Sequence, residues 1–168
     1  MIEKTCCFIG HRKIRETPEL QARLTGILEK LIVDEGFNTF LFGSKSDFNS
    51  LCYNTVTQLK EKYPHIKRIY VRAEFPYIDE SYKNFLLEQY EDTYYCESML
   101  SAGKAVYAER NYHMIRQSQV CVVYYNPEYK PSRRKQSRNS LSEYQPNTGT
   151  RLSCDYAIKK GKRMINTF

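Results

Sequence analysis

Short apolar, β-prone runs alternate with amphipathic helical stretches along this chain, and that alternation restricts the fold more than any other feature. Residues 5–9 read as a buried first strand that ends at Gly10. Thr17 can then cap a helix with Pro18 at its first position. Leu20, Leu24, Ile27, Leu28, Leu31 and Ile32 follow at helical spacing, and Gly36 stops it. Residues 39–42 form a second apolar run ending at Gly43, after which Ser46 or Asp47 caps a helix carrying Phe48, Cys52, Thr55, Val56, Leu59 and Tyr63 on one side. Pro64 ends that helix, and residues 66–71 give a third strand, making the unit β-α-β-α-β.

The pattern weakens over residues 73–103, where Pro76 and the tyrosines Tyr77, Tyr82, Tyr90, Tyr94 and Tyr95 suit irregular structure or a short helix near 82–90. Order returns with a helix over 105–118 that turns Tyr107, Met114 and Ile115 inward, and then with the most strand-like run of the chain at 120–125. Asn126-Pro127 closes that strand. Residues 126–148 are polar and proline-bearing, too long for a tight turn, and read as functional or mobile from length and composition. A helix over 152–160, its stop at Gly161 and a short strand at 163–165 complete the chain. The expectation is an α/β fold: a single Rossmann-like domain over residues 1–168, with a mainly parallel sheet and helices on both faces. Its ligands would bind beyond the carboxyl ends of the strands.

Composition agrees with a packed core, since 41% of the 168 residues are hydrophobic and 27% charged. No apolar run is long enough to span a bilayer and the first residues lack a signal peptide's apolar stretch, so no membrane partner and a cytoplasmic location are expected. The six cysteines include no Cys-x-x-Cys pair, which argues for reduced thiols rather than a metal or redox motif. Cys6, Cys7 and Cys121, inside apolar runs, read as small buried hydrophobes. His65 and His113 offer no metal spacing either, and no cofactor is implied. Net charge is +7, but Lys130, Arg133, Arg134, Lys135 and Arg138 supply five positive charges within one acid-free stretch. That single basic segment is a solvated loop, a clamp over phosphates, or a nucleic-acid contact with Tyr129 and Tyr144 as stacking surfaces.

The strand ends single out the candidate site. Gly10-His11-Arg12 follows the first strand and Gly43-Ser44-Lys45-Ser46 the second, so both fall on one edge of the sheet, to which Gly149-Thr150-Arg151 returns before the final helix. Glycine lets backbone approach a ligand, and a helix N-terminus offers unpaired N–H groups. Gly43-Ser44 and Gly149-Thr150 are therefore candidate phosphate cradles, with Arg12 and Arg151 adding forked donors. His11 is either a general acid or phosphate donor or a structural turn residue, and Asp47 either meets a sugar hydroxyl or caps its helix. Arg110 and Asn111 place polar groups one turn from Met114 on a face that should be apolar. Such an arginine needs an anion, supplied by a ligand or by Glu109 or Asp155.

Cys-Cys-Phe-Ile-Gly-His-Arg at 6–12, Phe-Gly-Ser at 42–44, Glu-Arg-Asn-Tyr-His-Met at 109–114 and Thr-Gly-Thr-Arg at 148–151 resemble the YpsA-like branch of the SLOG superfamily, over residues 5 to about 166. The superfamily also includes the Lonely Guy phosphoribohydrolases and the DNA-processing protein DprA. The resemblance implies a Rossmann-like domain whose glycine turns hold a nucleotide-derived small molecule, with adenosine diphosphate ribose as a candidate. Gly10, Gly43, Ser44, Gly149 and Thr150 would make the close contacts, Arg12, Arg110 and Arg151 would supply charge, and Asn111 would read a ribose hydroxyl. An enzyme alternative, cleavage of an N-glycosidic bond, would use Arg110 to position phosphate and Asp155 or Glu109 to stabilise charge on the ribose. Here the branch's glycine-rich turn after the second strand keeps only Gly43. Asp155 lies five residues beyond Thr150, where the Lonely Guy motif places its glutamate three beyond. Nucleic-acid binding through the basic segment is the nonenzymatic alternative, and a homo-oligomer remains open.

Overall fold

A computed structural model describes residues 3–43, 45–74, 76–96, 105–129 and 149–168. The basic stretch 130–138 and Ser44 lie outside the described residues. The elements run β1 (Thr5–Gly10), α1 (Pro18–Val33), β2 (Thr39–Phe42), α2 (Asp47–Lys62), β3 (Lys67–Arg72), α3 (Glu80–Gln89), β4 (Asp92–Tyr95), α4 (Ala105–Gln117), β5 (Val120–Tyr124), α5 (Gly149–Lys159) and β6 (Arg163–Asn166). They form one six-stranded sheet, all parallel, in the order β4-β3-β2-β1-β5-β6. The chain steps outward from β1 to β4 and then crosses to the other side of β1, so the carboxyl ends of β1 and β5 flank the point where strand order reverses.

Register assigns each side chain to a face. Cys7 pairs with Leu41 and Cys121, whereas Cys6 pairs with Phe40 and Val120. On one face Cys6, Phe8, Phe40 and Phe42 pack against Leu24, Leu28 and Leu31 of α1 and Phe48, Cys52 and Val56 of α2. On the other, Cys7, Ile9, Leu41, Val71, Cys121 and Val123 meet Met114 and Ile115 of α4 and Cys154 and Ala157 of α5. Each fully buried leucine or phenylalanine contributes roughly 1.5–3 kcal/mol, so both layers are held mainly by apolar burial. Caps fix the helix starts: Thr17 accepts from the Leu20 N–H (3.1 Å), Ser46 from Asn49 (3.1 Å) and Asp79 from Tyr82 (2.7 Å). Gly36 and Gly161, past the ends of α1 and α5, take φ of 75° and 66°, a conformation glycine adopts without a Cβ penalty.

Three departures from the sequence reading stand out. In residues 73–103 the short helix offered near 82–90 is α3, and the departure is an edge strand, β4, whose Asp92-Thr-Tyr-Tyr sequence has no apolar run and is paired on one side by β3 alone. Tyr107, expected inward, is 41% exposed because the buried stripe of α4 runs through Val106, Arg110 and Met114 instead. Gly149, Thr150 and Arg151 form the first turn of α5 rather than a turn before it. Among the described residues, no helix is long and apolar enough to cross a membrane.

Candidate functional site

Parallel strands bring Gly10, Gly43, Arg72 and the start of α5 to one edge of the sheet, and the glycines there do different work. A Cβ on Gly10 would collide with the Cβ, Cγ and Cδ1 of Phe48, so glycine lets the first turn of α2 press onto β1. Asn49 fastens the same contact by donating to the Phe8 carbonyl (3.2 Å), and the Asp47 N–H donates to the Arg12 carbonyl (2.9 Å). The Asp47 carboxylate accepts from the Ile14 N–H (3.4 Å), which leaves Ser46 as the cap and ties Asp47 to the loop after β1. His11 is 1% exposed, its ring stacked on Tyr129 with centroids 4.0 Å apart. Its Nε2 accepts from the Asn126 N–H at 2.8 Å, joining the ends of β1 and β5 and putting the imidazole proton on Nδ1, which has no partner among the described residues. Burial holds this histidine below its ordinary pKa.

Next to it, the end of β2 is built around an arginine. A Cβ on Gly43 would stand 2.8 Å from Arg110 Cδ, 2.9 Å from its Nε and 3.1 Å from the Val71 carbonyl oxygen. Gly43 is thus the floor on which the Arg110 side chain lies. Arg110 is only 6% exposed, and its Nε is buried without a partner among the described residues. Among the described residues its Nη2 makes a long hydrogen bond to the Asn111 side-chain oxygen (3.4 Å), and the guanidinium lies over the face of the Tyr107 ring, 5.5 Å away. Burial pulls its pKa below the usual guanidinium value, offset in part by Tyr70 and Glu74, yet a guanidinium stays charged in any protein. Glu74 itself accepts from the Tyr107 hydroxyl.

Arg72, at the carboxyl end of β3, was not anticipated, and it repeats the condition. Its Nε and Nη1 are buried and unpartnered among the described residues, and no carboxylate described lies within ion-pair distance of Arg72 or Arg110. Arg68, on the same strand and at its other end, is forked by Glu91 (Nη2 2.9 Å, Nε 3.1 Å). Tyr70 feels both unpartnered arginines: burial and Tyr82 raise its pKa, Arg110 lowers it, Glu74 raises it and Arg72 lowers it. The strand-end rule that picked Gly10 and Gly43 would have found Arg72 had β3 been extended by one residue.

The other candidates are dispersed around this edge. Arg12 is exposed, as is Arg151 in the first turn of α5, while Thr150 beside it is buried and Gly149 faces open space. Glu109 and Asn111 are half-buried on α4, and Asp155 is exposed on α5. Among the described residues, no three His, Cys, Asp or Glu side chains gather to hold a metal.

A parallel sheet with this strand order and helices on both faces defines a Rossmann-like α/β protein. The chain belongs to the YpsA family, the YspA SLOG family of family models, which matches residues 12–154. Gly10 and His11 stand just outside the matched stretch. No curated protein matches the sequence significantly. Among solved structures, it is similar to DNA processing protein A from Helicobacter pylori, described for its single-stranded DNA binding mode. The TM-score is 0.55 at 15% sequence identity, over 96% of this chain and 63% of that one. That likeness is one of fold, and the chain spans less than two thirds of the structure it matches.

Proposed function

We propose that this protein binds a phosphate-bearing nucleotide derivative, of which adenosine diphosphate ribose is the leading candidate, at the carboxyl edge of its sheet. One observation carries the reading: Arg110 is buried against Gly43, its Nε unpartnered among the described residues and no described carboxylate within ion-pair distance. A charge removed from water costs several kcal/mol unless an anion meets it, and a forked guanidinium fits phosphate oxygens. Arg72 adds a second cation, while the N-terminus of α5, with Gly149 and Thr150, supplies N–H groups and the positive end of a helix dipole. Asn111, already within reach of Arg110, would meet a ribose hydroxyl. Family membership is consistent with this use of the fold. Adenosine diphosphate ribose should raise the melting temperature of the protein, and Gly43→Val should remove the shift. A nucleotide panel that produces no shift in the wild type would overturn the reading.

A second reading is nucleic-acid binding through the acid-free basic stretch 130–138, supported by its five positive charges and by the DNA-binding description of the structurally similar protein. Neutralising Arg133, Arg134 and Lys135 would then flatten the salt dependence of affinity for single-stranded DNA. Absence of affinity at low salt would remove this reading.

A further inference from the structure

Separate from Arg110 and Arg72, a thiol, an imidazole and a phenol meet where β4 ends. Tyr94 stands in β4 on the sheet face that α4 covers, and Cys96 is the first residue past the end of that strand. His113 of α4 reaches both: its Nδ1 lies 3.0 Å from Cys96 Sγ and its Nε2 2.8 Å from the Tyr94 hydroxyl. If Nε2 carries the proton and donates it to the tyrosine oxygen, Nδ1 presents its lone pair to the thiol and can accept the thiol proton. The tyrosine thereby positions the ring, a role its uncharged phenol can keep, since burial, with Cys96 and Asp92 adding, pushes its pKa to about 12. Burial, with Arg116 adding, holds His113 below the ordinary imidazole value, which leaves it a neutral base at pH 7. Arg116 and Asp92 are the charged groups acting on this cluster among the described residues.

Cys154 provides the contrast. It is 5% exposed against 6% for Cys96, but it packs in the apolar layer under α5 with no histidine beside it. Burial, Asp155 and Cys121 push its pKa up to about 11. The two thiols are alike in exposure and differ in their neighbours, an imidazole at Cys96 against Asp155 and Cys121 at Cys154.

We propose that Cys96 is a nucleophilic modification site for small hydroperoxides, with His113 as its base and Tyr94 as the residue that positions the imidazole. In the step, the Cys96 proton passes to His113 Nδ1 and the sulfur lone pair attacks a peroxide oxygen. An S–O bond forms as the O–O bond breaks. Sulfur loses two electrons and becomes a sulfenic acid, while the leaving oxygen takes the imidazolium proton and departs as water or an alcohol. The site does not depend on nucleotide binding.

The test is to expose the full chain to hydrogen peroxide with dimedone present and measure adducts peptide by peptide by mass spectrometry. Cys96 should be labelled about tenfold or more faster than Cys154. His113→Gln should slow Cys96 by about tenfold and remove the imidazole limb from its pH–rate profile, and Tyr94→Phe should slow it by a smaller factor. Equal rates at Cys96 and Cys154 in the wild type would overturn the proposal without any variant. So would a His113→Gln protein, native by circular dichroism, whose Cys96 rate and pH profile are unchanged.

Discussion

The two halves of the carboxyl edge are built from similar sequence and end in opposite states. At the β1–β5 end, Gly10 is used up by Phe48, and His11 is closed in by the Asn126 N–H and the Tyr129 ring. At the β2–β3 end, Gly43 makes room for Arg110, and both Arg110 and Arg72 keep buried donors without partners among the described residues. A glycine after a strand therefore says only that something comes close. Whether that something is an aromatic ring or a guanidinium decides if the turn belongs to packing or to ligand chemistry. Unsatisfied buried donors are rare in folded proteins and costly: the β1–β5 end keeps one on a neutral ring, His11 Nδ1, whereas the β2–β3 end keeps them on two charged guanidiniums, so the second half is where an external anion is expected.

Gly10→Ala should produce the largest effect. Its new Cβ meets the base of the Phe48 side chain, which cannot swing away without moving α2. A stability loss of about 3 kcal/mol is expected, lowering Tm by about 10 °C in thermal unfolding. A variant as stable as the wild type would break the assignment of Gly10 to packing.

Arg110→Met should behave in the opposite sense. Replacing an unpaired buried charge by an apolar side chain of similar length should leave stability unchanged or raised by about 1 kcal/mol. Affinity for adenosine diphosphate ribose, measured by calorimetry, should fall by about 100-fold, or about 2.7 kcal/mol. A marked loss of stability would instead make Arg110 a structural residue and erase the difference between the two halves.

The division between what sequence showed and what it hid follows the physics of each element. β1, β2, α1 and α2 were legible because apolar spacing, Thr17, Ser46, Pro18 and Gly36 all spoke for the same elements. β4 was not, because an edge strand half-buried under tyrosines carries no apolar alternation and exists by pairing with β3. Arg110 was legible as a charge on an apolar helix face, whereas its seat on Gly43 depends on the crossing of α4 over β2, which no local pattern records. The Cys96–His113 contact joins residues 17 apart on different elements and was hidden for the same reason.

Gly43→Ala sharpens the comparison by a smaller amount. The new methyl group meets the arginine chain, which can shift, and the Val71 carbonyl, which cannot, so a loss of about 1–2 kcal/mol is expected. Ligand affinity should weaken by about tenfold as Arg110 is displaced. In an Arg110→Met background the same substitution should cost less, because part of the clash is with the arginine itself, and a double-mutant cycle by denaturant unfolding would measure that coupling. Strict additivity would mean that Gly43 answers to the β3 backbone and not to Arg110.

The smallest effect expected is a pH dependence at the closed half. The folded protein holds His11 below the pKa of about 6.5 that it has when unfolded, so between the two values the unfolded chain binds more protons. Stability from this group is full above about pH 6.5 and is lost as pH falls toward the folded value. Protonation at Nε2 would also put two donors face to face, since the Asn126 N–H already points there. His113 is depressed in the same direction and adds a slope of the same sign, so the wild-type curve reports both. Denaturant unfolding between pH 5 and pH 8 should therefore show His11→Gln and His113→Gln each removing part of the acid-side decline. A His11→Gln curve parallel to the wild type would mean that the imidazole titrates without penalty, and the end of β1 would then not be the closed, neutral half of the edge.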